Sequence, residues 1–322
     1  MLAGAGVPHP RSRATATLCV TCIRGDMSFL ASDTLQGRGS GTRDEHIAAE
    51  YAAALFTSFG LEPGGDGGSF LQKAPLPSPL PPRVEKHLAG FAPVARTDTW
   101  NVVGILRGAD PAARKDAILL TAHLDHLGVG PAKHGDTIYN GADDDASGTT
   151  AVLELARVFA RSARPARTVI FALFGSEELG GYGNQYFLDH PPVPLDRIVA
   201  NLEFEMIGRP DPALPRDGLW LTGFERSTLG PELARHGAAL VADPHPAQKF
   251  FQRSDNYGLA KRGIIAQTVS SFGLHADYHQ PSDEISGIDF AHMTRAIQSM
   301  VGPVRWLADT QWKPQWLPNG RP

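Results

Sequence analysis

Between residues 118 and 148 the chain reads ILLTAHLDHLGVGPAKHGDTIYNGADDDASG. A short apolar run of strand length ends at His123 and Asp125. Three consecutive aspartates, Asp143, Asp144 and Asp145, then stand just before a helix-like run over 149–160. Two later apolar runs end in carboxylates in the same way, 167–174 at Glu177 and Glu178, and 198–204 at Glu205. A histidine, His279, follows in a polar loop over 273–284. Gathered in one place, these imidazole and carboxylate groups would repel one another without cations. Mixed nitrogen and oxygen donors suit zinc, with manganese or cobalt as chemically possible substitutes, and the carboxylates outnumber what one tetrahedral ion uses. The set therefore points to two metal ions sharing a bridging carboxylate and a water.

Positioning such a set requires a particular fold. Strands are expected over 101–106, 118–121, 167–174, 198–204, 219–222 and 263–269. Helices are expected over 149–160, 179–188, 227–240, 255–260 and 289–307, and an earlier one, N-capped by Asp44, carries Ile47, Tyr51, Ala54, Leu55 and Phe59 before Gly60 ends it. Strands alternating with helices make an α/β fold: a three-layer α/β/α sandwich around a mostly parallel mixed sheet. The run RTVIFALF has the continuous apolar character of a strand buried on both faces. In open sheets of this class ligands bind beyond the carboxyl ends of the strands, which is where His123, Glu177, Glu178 and Glu205 fall. The Gly-rich 64–68 and Pro-rich 75–82 stretches read as loop or extended chain, and no internal repeat is visible.

Composition narrows the function. At 322 residues and 42% apolar, the chain can bury a large core. A formal net charge of -4 and scattered Lys and Arg leave no basic surface for nucleic acid. Every apolar run is broken within roughly ten residues, short of the eighteen or so of a membrane span. Cys19 and Cys22 are the only cysteines, too few for a disulfide framework, and this CVTC is read as a redox pair, half a zinc site or no site at all. Residues 1–26 carry Arg11 and Arg13 but no apolar leader core, and are read as an unstructured or non-native extension before a single catalytic domain over 27–322. Location reads as cytoplasmic, or exported if the N-terminus is misassigned. Oligomeric state is not legible.

Taken singly, these residues have ordinary explanations. A Glu-Glu pair often opens a helix, a histidine can be a satisfied core residue, and an aspartate can be an N-cap. Their order at successive strand ends is what those explanations do not cover. The ordered set AHLDH, GADDDASG, SEELG, EFEMIGR, FQRSDNYG and ADYHQPSDE, led by LASDTLQGRGSGT, resembles the M28 family of zinc metallopeptidases, which includes bacterial leucyl-type aminopeptidases with two co-catalytic zinc ions. The likeness spans about 27–307, and the short gap between Gln72 and Trp100 leaves no room for a protease-associated insert.

The resemblance implies that His123 binds one zinc, His279 the other, and Asp144 bridges them, with Glu178 and Glu205 completing the sites. Glu177 would be the general base, and Asp125 would orient His123. Tyr278 is expected to donate to the oxyanion and Arg253 to contact the substrate carbonyl. The family usually has aspartate where Glu205 stands, which leaves Glu203 as an alternative ligand. His126 and His275 receive no role. The implied activity is hydrolysis of N-terminal residues from peptides by metal-activated water. A carboxypeptidase or dipeptidase would instead need cations for a free carboxylate, and Arg253 and Lys261 are the only ones in the late matching segments. A glutaminyl cyclase-like transferase would work with one zinc, and an inactive binding domain would have no use for Glu177.

Overall fold

The computed structural model describes residues 17–215, 217–271 and 274–322. In chain order the helices are α1 (Val20–Leu30), α2 (Arg43–Phe59), α3 (Pro82–His87), α4 (Gly148–Arg161), α5 (Tyr182–Asp189), α6 (Leu229–Arg235), α7 (Asn256–Lys261) and α8 (Phe290–Asp309). The strands are β1 (Glu62–Pro63), β2 (Leu71–Pro75), β3 (Asp98–Leu106), β4 (Ala117–His123), β5 (Gly128–Lys133), β6 (Asp136–Tyr139), β7 (Thr168–Phe174), β8 (Ile198–Phe204), β9 (Leu219–Leu221), β10 (Leu240–Ala242) and β11 (Ala266–Ser270).

The main sheet runs β1-β3-β7-β4-β8-β11-β9-β10, with β2 also on β3. Its centre is parallel: β4 lies between β7 and β8, and β11 adds to β8. Antiparallel pairs join β3 to β7 and β9 to β11. This is the expected mostly parallel mixed sheet with helices on both faces. Along β7, Val169, Phe171 and Leu173 enter the core shared with α1, α2, α4 and α8, while Ile170, Ala172 and Phe174 enter the core shared with α5 and α7. Strand alternation sends successive side chains to opposite faces, so a run buried on both must be apolar throughout.

Register sets the rim of the site. His123 is level with Phe174, and Thr121 with Glu203, so His123 and Glu205 leave neighbouring strands at one height.

Several expected boundaries move. The break expected at Met27 falls inside α1, because Ile23, Met27 and Leu30 form one buried helical stripe across it; residues 1–16 lie outside the described chain. Cys19 and Cys22 are joined by a disulfide at the start of that helix, which excludes half a zinc site. Thr42, not Asp44, caps α2, its hydroxyl accepting from the Glu45 amide at 3.3 Å. Helix α5 starts at Tyr182 because Gly180 and Gly181 turn through φ +115° and +75°. The helix expected over 227–240 ends at Arg235, and its tail becomes β10. The Pro-rich stretch is loop from 76 to 81 as expected, and the short α3 begins at its last residue, Pro82, where the missing N–H is not needed. Among the described residues no helix is long and apolar enough to cross a membrane.

Candidate metal centre

Three loops and two strand ends converge beyond the carboxyl edge of β4, β7 and β8. Strand β4 delivers His123, whose ring Nε2 lies 3.0 Å from Asp144 Oδ1. The other oxygen of Asp144, Oδ2, lies 3.1 Å from His279 Nε2. One carboxylate thus faces two histidines with different oxygens, the geometry of a bridge.

The neighbouring aspartates are committed elsewhere. Asp143 Oδ1 accepts from the Gly208 amide at 2.7 Å and from the Ser147 hydroxyl at 3.1 Å, and Oδ2 lies 3.2 Å from His275 Nε2. Asp145 accepts the amides of His123, Gly148 and Met206 at 2.9 to 3.2 Å. The peptide between Asp144 and Asp145 is cis.

After β7, Ser176 turns the chain at φ +62° and presents Glu177 and Glu178. Their amides donate to the Asp125 carboxylate at 3.0 and 3.3 Å, and the Ser40 hydroxyl donates to it as well. That carboxylate was expected to orient His123. Its Oδ1 stands 3.7 Å from His123 Nδ1, and that nitrogen donates to the Asp125 backbone carbonyl at 3.1 Å. Three donors from other segments also meet this carboxylate, which thereby fixes the turn bearing Glu177 and Glu178 as well as facing the His123 ring.

Glu178 Oε1 lies 3.2 Å from His279 Nε2 and 3.0 Å from His126 Nδ1. Two groups of donor atoms result, each within 4.8 Å: His123, Asp144 and Glu205, and His126, Asp144 and Glu178. Glu203 joins neither among the described residues. Its carboxylate takes the Ser254 hydroxyl at 2.9 Å, the Asn256 amide at 2.7 Å and the Thr268 hydroxyl at 3.0 Å, a full complement for a buried ion.

Of the buried atoms that make no hydrogen bond among the described residues, four face one another here: Asp144 Oδ2, Glu178 Oε1, His279 Nε2 and His126 Nδ1. Leaving a buried polar atom unpaired costs about 1–3 kcal/mol, so four in one place need a common partner. A cation meets that need, and the mixed donors fit zinc.

Titration behaviour fits the same picture. Burial, with repulsion from Glu203 and Asp144, pushes Glu205 up to about 8. Burial opposes charge on His279, but Glu178 and Asp144 outweigh it and raise the ring to about 10. Burial likewise opposes charge on Glu178, but His279 and His126 hold it down to about 2. At pH 7 the metal-free site therefore carries protons on Glu205 and His279 that ligands cannot keep. If both are ligands, zinc loading should release protons at pH 7, and apparent affinity should rise with pH through the Glu205 value near 8 up to that of His279 near 10. Titration calorimetry in buffers of different ionisation enthalpy measures this release; none at pH 7 would contradict the assignment.

A cleft opens beside these groups. Its lining combines the carboxylates Asp144, Glu177, Glu178 and Glu205 with the large side chains Met206, Trp220, Phe250 and Tyr278. Tyr278 stacks on His279 at 3.9 Å between ring centres, and burial raises its hydroxyl's pKa further above the ordinary range. Arg253 is exposed at the lip, with its guanidinium 4.9 Å over the Phe250 ring.

Sequence reasoning missed three supporting residues as well as His126. Buried Arg38, inside the leading motif, donates to the carbonyls of Leu124, Asn140 and Gly141 at 2.7 to 3.1 Å, and to that of Leu30. It thereby ties both sides of the His123 and Asp144 loops together. Asp283 accepts the amides of Asp143 and Asp144 at 3.0 Å, and Arg209 bonds Asp283 at 3.1 Å and Asp277 at 2.6 Å. All three lie within the motifs that carry the family likeness, which was the available signal.

The family model for peptidase family M28 matches residues 101–302. An aminopeptidase of Pseudomonas aeruginosa is 34% identical over 131 residues, covering 40% of this chain and 22% of that protein. The chain thus spans only a fraction of that relative. In structure it is similar to a zinc aminopeptidase from Bacillus subtilis, with TM-score 0.68 and 17% identity over 92% of this chain and 96% of the other. It is also similar to a glutaminyl cyclase from Porphyromonas gingivalis, with TM-score 0.65 and 16% identity over 90% and 98%. Those two likenesses concern the fold. The family match covers the strand ends, the aspartate triplet and the histidine loop together, and the chain belongs to peptidase family M28.

Proposed function

We propose that the protein is a metal-dependent aminopeptidase that removes N-terminal residues from peptides with two zinc ions. The observation that carries this is the set of orphaned buried donors lying against a cleft that also holds Glu177 and Tyr278. His123 and Glu205 would hold one ion, Glu178 and His279 the other, with Asp144 shared between them.

Bound zinc supplies Lewis acidity and lowers the pKa of water toward about 7. The protein's own residues do the rest. Glu177 projects into the cleft beside its ligand neighbour Glu178, takes a proton from the attacking water and returns it to the leaving amine. Burial, together with the nearby Glu178, Asp255 and Glu205 carboxylates, raises its pKa well above the usual range, which suits a base that must also give the proton back. The Tyr278 hydroxyl donates to the oxygen that gains charge, and Arg253 contacts the substrate backbone.

Charge in the cleft favours an amine over a carboxylate at the bound terminus. Among the described lining residues there are four carboxylates and one cation, Arg253, which weighs against a carboxypeptidase or dipeptidase. The likeness to a glutaminyl cyclase is nearly as close in fold and does not discriminate; two donor groups sharing Asp144 favour the two-ion reading.

A panel of aminoacyl chromogenic substrates, free and N-acetylated, tests this. Release should occur from free-amine substrates alone, stop with chelator and return with zinc. Cleavage confined to N-blocked peptides with a free carboxyl end would overturn it.

A further inference from the structure

We propose that His126 is a further protein ligand on the Glu178–His279 side of the metal pair. This rests on the paired-zinc reading above.

His126 is fully buried, and neither ring nitrogen has a hydrogen-bond partner among the described residues. Its Nδ1 is 3.0 Å from Glu178 Oε1 and 3.8 Å from Asp144 Oδ2. His279 Nε2 is 3.2 Å and 3.1 Å from the same two oxygens. Four donors at zinc distances of 2.0–2.1 Å in a tetrahedron stand about 3.3 Å apart, so these separations describe the corners of one coordination shell. At 3.0 Å without hydrogen-bond alignment, this nitrogen and oxygen are both left able to donate lone pairs to one cation.

The backbone is arranged around this ring. Gly141 has φ +57°, and a Cβ there would sit 2.5 Å from His126 Cγ, so a side chain at 141 would displace the imidazole. The ion on this side would be held by four protein residues, His126, Asp144, Glu178 and His279, against three, His123, Asp144 and Glu205, on the other. The His126 side should therefore retain its ion more tightly, and the Glu205 side exchange first.

Zinc titration against a chelating indicator, with metal content by elemental analysis, tests this on the full chain as wild type, His126→Ala and His126→Gln. Wild type should bind two ions with unequal affinities. Both variants should lose affinity at the tighter position by more than the roughly 10–100-fold that removing a mere supporting partner costs, and keep the weaker one. With one equivalent of cobalt(II), wild type should show intense four-coordinate visible bands and the variants weaker ones. Two ions in wild type, with the tight position and the cobalt spectrum unmoved by either substitution, would overturn the role of His126 and leave the paired reading standing. Fewer than two ions in wild type would remove the paired reading and this proposal together. If neither variant folds, the histidine nitrogen NMR spectrum of the unmodified protein decides: the Nδ1 signal of His126 shifts on adding zinc, and an unshifted signal overturns the proposal.

Discussion

Glu177→Gln should leave metal content and thermal stability near wild type while kcat falls on the order of 10²–10⁴-fold, the usual contribution of a positioned general base. Glutamine keeps the volume of the side chain, and the Glu177 amide still donates to Asp125 at 3.0 Å, so the turn that presents Glu178 is preserved. Only the capacity to take up a proton is lost. Because Glu177 belongs to neither donor group, zinc should bind as before. Steady-state kinetics beside elemental analysis separates the outcomes. Retained turnover would remove Glu177 as the base, and lost metal would make it a ligand.

Asp144→Asn should be the most damaging ligand substitution because it strikes both positions. An amide offers one acceptor oxygen and turns a donor NH2 toward the other side, so one of the two histidines at 3.0 and 3.1 Å loses its acidic partner whichever way the group is flipped. Zinc affinity should fall at both positions by more than the roughly 10–100-fold expected for an indirect partner, and activity should fall with it. Asparagine at 144 with normal content of both ions would move the bridge to Asp143 or Asp145. Their present hydrogen bonds to Gly208, His123, Gly148 and Met206 argue against that.

The parts of this architecture that were legible in the sequence are those governed by local pattern. Strands buried on both faces, such as β7, must be apolar without interruption, and acidic or imidazole side chains directly after them could only lie at the sheet's rim. The donors that carry the family likeness were readable for that reason. What was not readable depends on approach through space. Strand β5 of the β5–β6 hairpin reads GVGPAK, with two glycines and a proline, so no apolar alternation announced it. Helix α1 runs across the domain start expected at Met27 because its stripe of Ile23, Met27 and Leu30 acquires meaning only against α4 and α8. His126 sits three residues past His123, at a spacing that marks no helix face here. Its value as a donor arises because Glu178, 52 residues on by the numbering, is brought to 3.0 Å by the Asp125 carboxylate. Asp125 itself was read as a partner of the nearest histidine, and its carboxylate also serves amides from the next strand end.

The central claim is a pair of ions sharing Asp144, and anomalous scattering at the zinc edge from crystals of the zinc-loaded protein tests it most directly. Two peaks should appear, one among His123, Asp144 and Glu205 and the other among His126, Asp144, Glu178 and His279. A single peak, or two that do not share Asp144, would contradict it.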